Sequence, residues 1–470
     1  MRHHADHDGK LLRVEARFVF DGGAYASTSP AVLINGVTHA QGPYKCENAT
    51  VDGWAVRTNN LPCGAMRGFG VVQACFAHEG QMDKLAAALG ISPLEVRARN
   101  AMETGDRLIT GQPVLNVAPV ARLIRELSEM PLPSVPVGGL DGDPMHLPGG
   151  AGRTTDVAHV RRGIGWAVSI KNLMYSEAFD DYSTARVRVA GSRAWVKFAT
   201  AEVGQGFTML AAQIVRDTLG LDDVVVDPID TQVGSAGSTS ASRQTWMSGG
   251  AVLGAARAVA ERLLAHVAQR HGLDAHHLAI EGDEVIDSMG TFRARVADCV
   301  DGFEADCTFE HHHPPTEELD ELGQGNYHTA FAFAAHRAVV DVDLELGLVK
   351  VVEVATVQDV GRALNPLSVV GQIEGGIAQG LGLAVMEEII QVDGYVKNPS
   401  FTDYLLPTFL DMPPVAIALV EEREPLSPLG AKGVGEPPTV SSTPAVVAAI
   451  RDACGRDLGR VPVRPYDICG

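Results

Sequence analysis

The chain is short of positive charge and of organised cysteine, and each shortage removes a class of function. Its 470 residues carry 38 Lys and Arg against 58 Asp and Glu, a formal net charge of −20. No basic stripe interrupts that acidic balance, so a nucleic-acid partner is not expected. The seven cysteines (Cys46, Cys63, Cys75, Cys299, Cys307, Cys454, Cys469) are widely spaced. None forms a C-x-x-C pair, which removes the usual signal for zinc or an iron–sulfur cluster. The odd, scattered set fits reduced thiols in the cytoplasm. No apolar run reaches membrane-spanning length, and the polar start Met1-Arg-His-His-Ala-Asp-His7 carries no signal peptide. A large soluble globular chain is left, with room for about two to four domains.

Glycine and proline are plentiful and clustered. Pro428-Leu-Gly-Ala-Lys-Gly-Val-Gly-Glu-Pro-Pro438 puts three glycines, one glutamate and a proline pair in one short span. Glycine lets backbone approach a ligand closely. Pro437 fixes φ and biases Glu436 away from helical geometry, so a stiff loop holding one carboxylate is expected. A lone carboxylate among glycines and apolar neighbours suits a general base. A solvated glutamate on an ordinary surface turn accounts for the same residues.

In chain order, Leu11–Phe20 alternates and reads as a strand with no earlier element to pair with. Thr58–Gly70 leads through Arg67-Gly68-Phe69-Gly70 into an amphipathic helix over 71–89. A Gly-rich helix start offers unpaired N–H groups to an anion, and Arg67 adds a planar donor; equally, the glycines only make the turn. Ser92 caps a helix running to about Met102. Residues 131–155 are too rich in Pro and Gly for regular structure and read as a linker. They separate residues 1–130 from residues 156–470.

Past the linker, 163–170 reads as a strand, and 185–189 with 194–200 as a hairpin. Gly204-Gln205-Gly206 then precedes a helix, but the third glycine of a dinucleotide loop is missing, which disfavours that fold. Gly234–Thr245 is hydroxyl-rich and precedes a long helix over about 248–270; it reads as an ordered anion-binding loop, against a flexible linker. His311-His-His313 reads as an exposed loop rather than a metal tract. Residues 338–344 and 348–358 form a second hairpin, followed by a helix with five glycines between Gly371 and Gly382. Each glycine costs a helix roughly 1 kcal/mol relative to Ala, so close packing on a helix or ligand is expected. Gln379 is either a ligand donor or a satisfied core amide. A capped helix over 441–454 and a short polar tail close the chain. The hairpin, glycine loop and helix order recurs around 185–220 and 338–388, so two similar subdomains are expected within 156–470.

Together these motifs resemble the molybdenum-binding subunit of the xanthine dehydrogenase family, the molybdenum hydroxylases. Ala65-Met-Arg-Gly-Phe-Gly70 is similar to the family's A-F-R-G-F-G, and Glu202-Val-Gly-Gln-Gly206 to its E-M-G-Q-G loop. Gly237–Thr245 stands where the family has its Ser/Ala-rich pterin loop. Gly371–Gly382 is similar to G-Q-x-E-G-x-x-x-Q-G-L-G, and Gly433-Val-Gly-Glu-Pro-Pro438 to the segment with the catalytic glutamate. The five occur in family order over nearly the whole chain. The finer likeness is to bacterial xanthine dehydrogenases built from separate subunits.

The resemblance implies an α+β fold of mixed sheets with flanking helices. It implies a molybdenum–molybdopterin cofactor, in bacteria often the cytosine dinucleotide form, whose dithiolene holds the metal without protein ligands. By matching position, Arg67, Gly204, Gln205, Ser240, Ala241, Ser242, Arg243, Gln244 and Gln379 surround the cofactor. Phe69 lies against the substrate ring. Glu436 is the base in hydroxylating an electron-poor carbon, with water as oxygen source. The substrate is xanthine, hypoxanthine or a related N-heterocycle, with an aldehyde as the alternative. Electrons leave through 2Fe-2S clusters and FAD on partner subunits, in an oligomer of heterotrimers. Two departures stand out. The family's G-G-x-F-G-G segment precedes the point where this chain starts, so the chain resembles the C-terminal two-thirds of the subunit; a non-catalytic fragment is the rival expectation. Asn35 also falls where animal purine-oxidising members place a substrate-orienting arginine.

Overall fold

The computed structural model describes residues 1–25, 27–139, 143–150, 155–175 and 178–469. The chain opens with β1 (Arg2–Ala5), β2 (Leu11–Gly23), α1 (Ser29–Thr38), β3 (Ala49–Arg57), α2 (Val71–Leu89), α3 (Pro93–Asn100) and α4 (Val120–Glu129). It continues with β4 (Val160–Leu173), β5 (Tyr182–Ala190), β6 (Arg193–Phe198), α5 (Phe207–Leu219), β7 (Asp223–Val226), α6 (Gln244–His271), β8 (Leu278–Glu281), β9 (Glu284–Asp287), β10 (Arg293–Arg295), α7 (Val296–Cys299) and β11 (Glu304–His312). The last third holds β12 (Ala330–Asp343), β13 (Leu348–Asp359), α8 (Pro366–Val385), β14 (Gln391–Val392), β15 (Tyr395–Val396), β16 (Val415–Val420), α9 (Pro437–Cys454) and α10 (Pro465–Cys469). This is an α+β fold of mixed sheets with flanking helices.

Two four-stranded sheets, ordered β11-β5-β6-β7 and β4-β12-β13-β16, share one arrangement. In each, a hairpin (β5–β6 or β12–β13) takes an antiparallel strand on one side and a parallel one on the other. The parallel strand needs a crossover, which a helix supplies: α5 between β6 and β7, α8 between β13 and β16. A second helix, α6 or α9, follows the parallel strand in each case.

The first sheet covers one face with α5 and α6. Val187, Val189, Val196 and Phe198 point inward, while Arg186, Arg188 and Lys197 alternate outward. The second sheet is covered on both faces, and β12 is buried along its whole length. Ala338, Val340 and Val342 face α8 and α9; Phe331, Phe333 and Ala335 face α4 and the 101–120 segment. One residue's parity therefore decides which of two cores it joins.

Several expectations need correction. Residues 2–5 pair antiparallel with β2, so that strand does have an earlier neighbour; the Asp6 carboxylate, accepting from the Asp8 and Lys10 N–H groups at 3.0 and 2.8 Å, holds the tight turn. His311 and His312 lie in β11 rather than a loop, His311 against Gly250 of α6. α6 starts at Gln244, so the end of the hydroxyl-rich run is helical. α9 starts at Pro437, not Ser441, and Glu436 is its N-cap with φ −107° and ψ −39°. Pro437 therefore does not force Glu436 out of helical geometry. Proline suits the first helical positions because its missing N–H would have no partner there. The tail is not simply polar, since α10 buries Ile468. Within 131–155, residues 140–142 and 151–154 lie outside the described residues; the described part contains only short 3-10 turns. It packs down through Gly138 N–H to Asp341 (2.8 Å) and Arg162 to the Val135 carbonyl (2.7 Å).

Candidate active site

Five loops converge on a cavity of about 520 Å³, and each leads directly into a helix. Residues 65–69 precede α2, 203–206 precede α5, 239–243 precede α6, 360–365 precede α8 and 431–436 precede α9. The last four leave the carboxyl ends of the hairpin and parallel strands, so the shared sheet arrangement builds the site twice over. Helix N-termini present unpaired N–H groups and positive potential, which suits an anionic or hydrogen-bonding ligand. The volume is that of a ligand or cofactor pocket.

Three of the expected site residues hold left-handed backbone despite carrying side chains: Phe69 (φ 44°), Ala241 (φ 50°) and Ser242 (φ 49°). Such strain costs of order 1–3 kcal/mol per residue and persists only where surrounding contacts fix it. At Phe69 the fixing contact is Gly70, whose Cβ, if present, would lie 2.0 Å from the Val32 carbonyl of α1. At Ala241 the carbonyl accepts from Met174 N–H at 2.9 Å. Gly433 closes the cavity on this side, since a Cβ there would stand 1.8 Å from the Ser242 carbonyl.

Glu436 is buried, lines the cavity and is not alone. One carboxylate oxygen accepts from Gly68 N–H at 3.1 Å. The other accepts from Ser242 Oγ at 3.4 Å and stands 3.3 Å from Lys171 Nζ. Ser242 Oγ also accepts from the Glu436 N–H at 2.9 Å. The isolated carboxylate expected from the glycine-rich context is thus replaced by an ion-paired one. The anion at the Gly-rich start of α2 is the protein's own.

Arg67 reaches across the cavity mouth. It donates to the Gly435 carbonyl, to the Gln372 carbonyl at 2.9 Å and to Gln379 Oε1 at 3.3 Å. Burial lowers its pKa and Glu436 holds it up. Gln379 is exposed to the cavity rather than a satisfied core amide. Gln205 folds onto its own loop, accepting from Val203 N–H (2.7 Å) and donating to the Ala201 carbonyl (3.0 Å). Gly204, Gly206 and Thr208 donate their N–H groups to Glu202 at 3.0, 2.9 and 3.0 Å. Burial pushes Glu202 up, but these three bonds outweigh it and leave its pKa below the usual value.

Arg243 and Gln244 are at the cavity, but their side-chain polar groups bond within the protein. The Arg243 guanidinium is fully buried against Asp181, with Nε 2.6 Å and Nη2 2.5 Å from the carboxylate, and it also donates to the Ser238 carbonyl at 3.0 Å. Gln244 donates to the same carbonyl at 2.9 Å. Both side chains pin the 236–240 loop. Ser240 faces the cavity beside Tyr175, 3.3 Å between oxygens. Asn35 is buried on α1 and does not line the cavity; its amide donates to the Ala31 carbonyl at 3.3 Å.

The structure adds residues that the motifs did not single out. Arg362, Asn365, Ser368 and Gln372 line the cavity from the α8 side. Lys171 is fully buried behind Glu436. A signal for it existed, because a lysine inside the apolar run of β4 must be paired to be buried. Among the described residues, no group of three or more His, Cys, Asp or Glu is arranged to hold a metal ion. No helix among them is long and apolar enough to cross a membrane.

Comparison with known proteins gives two matches to one family description, molybdopterin cofactor-binding domain, over residues 1–101 and 150–413. A relative from Bacillus subtilis (strain 168), described as a probable subunit of xanthine dehydrogenase, is 31% identical over 98% of this chain. The chain spans 60% of that relative's length. Quinoline 2-oxidoreductase from Pseudomonas putida 86 superposes with a TM-score of 0.83 at 28% identity, over 98% of this chain and 60% of that one. Aldehyde oxidoreductase from Desulfovibrio gigas superposes with a TM-score of 0.78 at 25% identity, over 99% of this chain and 48% of that one.

Proposed function

The chain belongs to the molybdenum hydroxylases through its molybdopterin cofactor-binding domains, and from that premise we propose that it hydroxylates an electron-poor carbon of a xanthine-like N-heterocycle, with water as oxygen source. The observation that carries this reading is Glu436, a carboxylate fixed by Gly68, Ser242 and Lys171 on the wall of a cofactor-sized cavity. The residues present fit a molybdenum–molybdopterin group. Five helix N-termini converge, the Arg67, Gln372 and Gln379 side chains offer polar contacts to a pterin edge, and Ser240 adds a hydroxyl. When bound, that group supplies the two-electron chemistry. The chain's own residues bind, orient and move a proton. Arg67, Gln379, Gln372 and Ser240 hold the cofactor, while Gln205, Arg243 and Gln244 shape the loops that cradle it. Phe69, held in strained backbone, orients a planar ring by stacking. Glu436 takes up the proton released as the new carbon–oxygen bond forms.

A second cavity of about 550 Å³ shares Leu210, Arg362 and Leu364 with the first and adds Arg257 and Arg423. Its three arginines favour a cofactor carrying an extra phosphate, as in the cytosine dinucleotide form. Electrons are passed to partner subunits with 2Fe-2S clusters and FAD, in an assembly of heterotrimers. The seven unpaired cysteines suit a reducing, cytoplasmic setting. Aldehyde oxidation by the same chemistry is the second reading, favoured by the likeness to the Desulfovibrio gigas enzyme.

The test is to express the chain with its genomic neighbours, measure molybdenum and pterin per chain, and screen heterocycles against aldehydes. Near-stoichiometric molybdenum with heterocycle turnover is expected. Glu436→Gln should lower kcat by about 10²–10⁴-fold while molybdenum stays bound; activity within a few-fold of wild type would overturn Glu436 as base.

A further inference from the structure

β4 lies against α9, and alternate residues of β4 from Gly163 to Ser169 face it. The two run antiparallel. A Cβ on Gly163 would meet the Ala449 carbonyl at 2.0 Å, and one on Gly165 the Ala445 carbonyl at 2.1 Å. Ser169 Oγ bonds Ser441 Oγ at 2.8 Å. One step further, Lys171 arrives under the first turn of α9, with its Nζ 3.3 Å from Glu436. The other two donors of this ammonium go to the Asn172 carbonyl (2.8 Å) and side-chain oxygen (2.6 Å). The lysine is 1% exposed and Glu436 7%, so neither charge is screened by solvent. Two imidazoles also face Lys171, His39 at the end of α1 and His328 before β12; burial first, and Lys171 second or third, keeps both uncharged. Arg67 is the further cation felt by Glu436, from the cavity side. Among the described residues, Glu436 is therefore the anion paired with the buried ammonium.

We propose that Lys171 is the positioning residue for Glu436: its buried ammonium holds the carboxylate in place at the cavity wall. The role rests on Glu436 being the base, but the ion pair itself does not. β4 thereby supplies the counter-charge of a group that lies 265 residues later in the chain.

The experiment is a double-mutant cycle in the assembled protein, read by urea midpoint, with Lys171→Met, Lys171→Arg, Glu436→Gln and the Lys171→Met/Glu436→Gln pair. Each single neutralisation leaves one buried charge alone, so both should lower the midpoint and the double should lose less than their sum. Lys171→Arg should keep most of the midpoint. In the holoenzyme, Lys171→Met should lower kcat by about tenfold or more with KM little changed, because the carboxylate is misplaced, with Lys171→Arg restoring it. If Lys171→Met fails to fold, Glu436→Gln alone decides. Burial lowers the Lys171 pKa while Glu436 raises it, so removing the carboxylate lowers it further. Between that value and the free lysine value of about 10.4, the unfolded chain binds more protons and stability rises with pH. The Glu436→Gln loss should therefore shrink as pH rises from about 7 to 10. Additive single losses, a loss independent of pH, or an unchanged kcat in Lys171→Met overturn the proposal. A preparation with no turnover on any substrate counts against the proposed activity instead, and the stability cycle still decides the ion pair.

Discussion

Replacing Gly376 and Gly371 separately by alanine weighs two opposed effects within one helix. Alanine in a helix interior gains about 0.5–1 kcal/mol over glycine. At Gly371 nothing lies within 4 Å of the added Cβ, so the whole gain should appear. At Gly376 the added Cβ would stand 2.7 Å from Pro438 Cβ and 3.1 Å from Thr439 Oγ1 of α9. Ordinary carbon contacts are about 3.5–4.0 Å, so the helices must part by roughly 1 Å. Thr439 Oγ1 also donates to the Gly376 carbonyl at 3.0 Å and would be strained. Overpacking of this kind costs about 1–3 kcal/mol. The propensity gain is common to both sites, so the difference between the variants isolates the steric cost. Urea denaturation should place Gly371→Ala above wild type and Gly376→Ala about 1–3 kcal/mol below Gly371→Ala. Pro438 is two residues past Glu436, so Gly376→Ala should also lower kcat/KM by about 10²-fold through misplacement. A Gly376→Ala chain as stabilised as Gly371→Ala would refute close α8–α9 packing as the reason for the glycines.

Two further outcomes follow from buried charges. Glu79 accepts from Tyr44 OH (2.5 Å), Arg97 Nε (2.8 Å) and Val168 N–H (2.9 Å), with His78 Nδ1 at 3.1 Å. Burial pushes its pKa up, but Arg97 and these partners win and leave it at about 2. Its stabilisation is complete above about pH 4.5 and lost toward pH 2, about 3 kcal/mol in all, so Glu79→Gln should be less stable at pH 7 and fall less steeply on acidification in a pH series of urea midpoints. Parallel curves would contradict this. Lys432 and Asp359 form a fully buried pair at 2.6 Å, and burial raises Asp359 to about 6 against the pull of Lys432. Lys432→Met should cost about 3–5 kcal/mol near neutral pH and less on acidification, because Asp359, freed from the pull of Lys432, takes up its proton at a higher pH in the variant than in the wild type. A loss that does not shrink between pH 7 and 5 would contradict it.

The periodic elements were legible in the sequence because their patterns are local. Alternation in 185–198 and 338–358 marked both hairpins, and the 71–89 helix matched its residues end to end. The ordered glycine motifs led to the cavity: four mark a loop entering a helix, and the fifth, Gly371–Gly382, lies within α8 and lines it through Gln372 and Gln379. Their side-chain roles were less legible. Arg243 and Gln244 stand in the right loop but spend their polar groups on Asp181 and Ser238, partners that sequence spacing does not reveal. Asn35 sits on α1 away from the cavity. Glu436 was expected outside helical geometry because a proline follows it, yet Gly68, Ser242 and Lys171 hold it as the N-cap of α9.

The sequence by itself marked the two hairpins, the 71–89 helix and the glycine-rich loops that line the cavity, because hydrophobic period and glycine placement act within a few residues. Only the tertiary structure decided the environment of the key carboxylate. Residues 68, 171, 242 and 436 come from four separate loops and strands, and a buried charge takes its properties from whichever groups packing brings within about 4 Å.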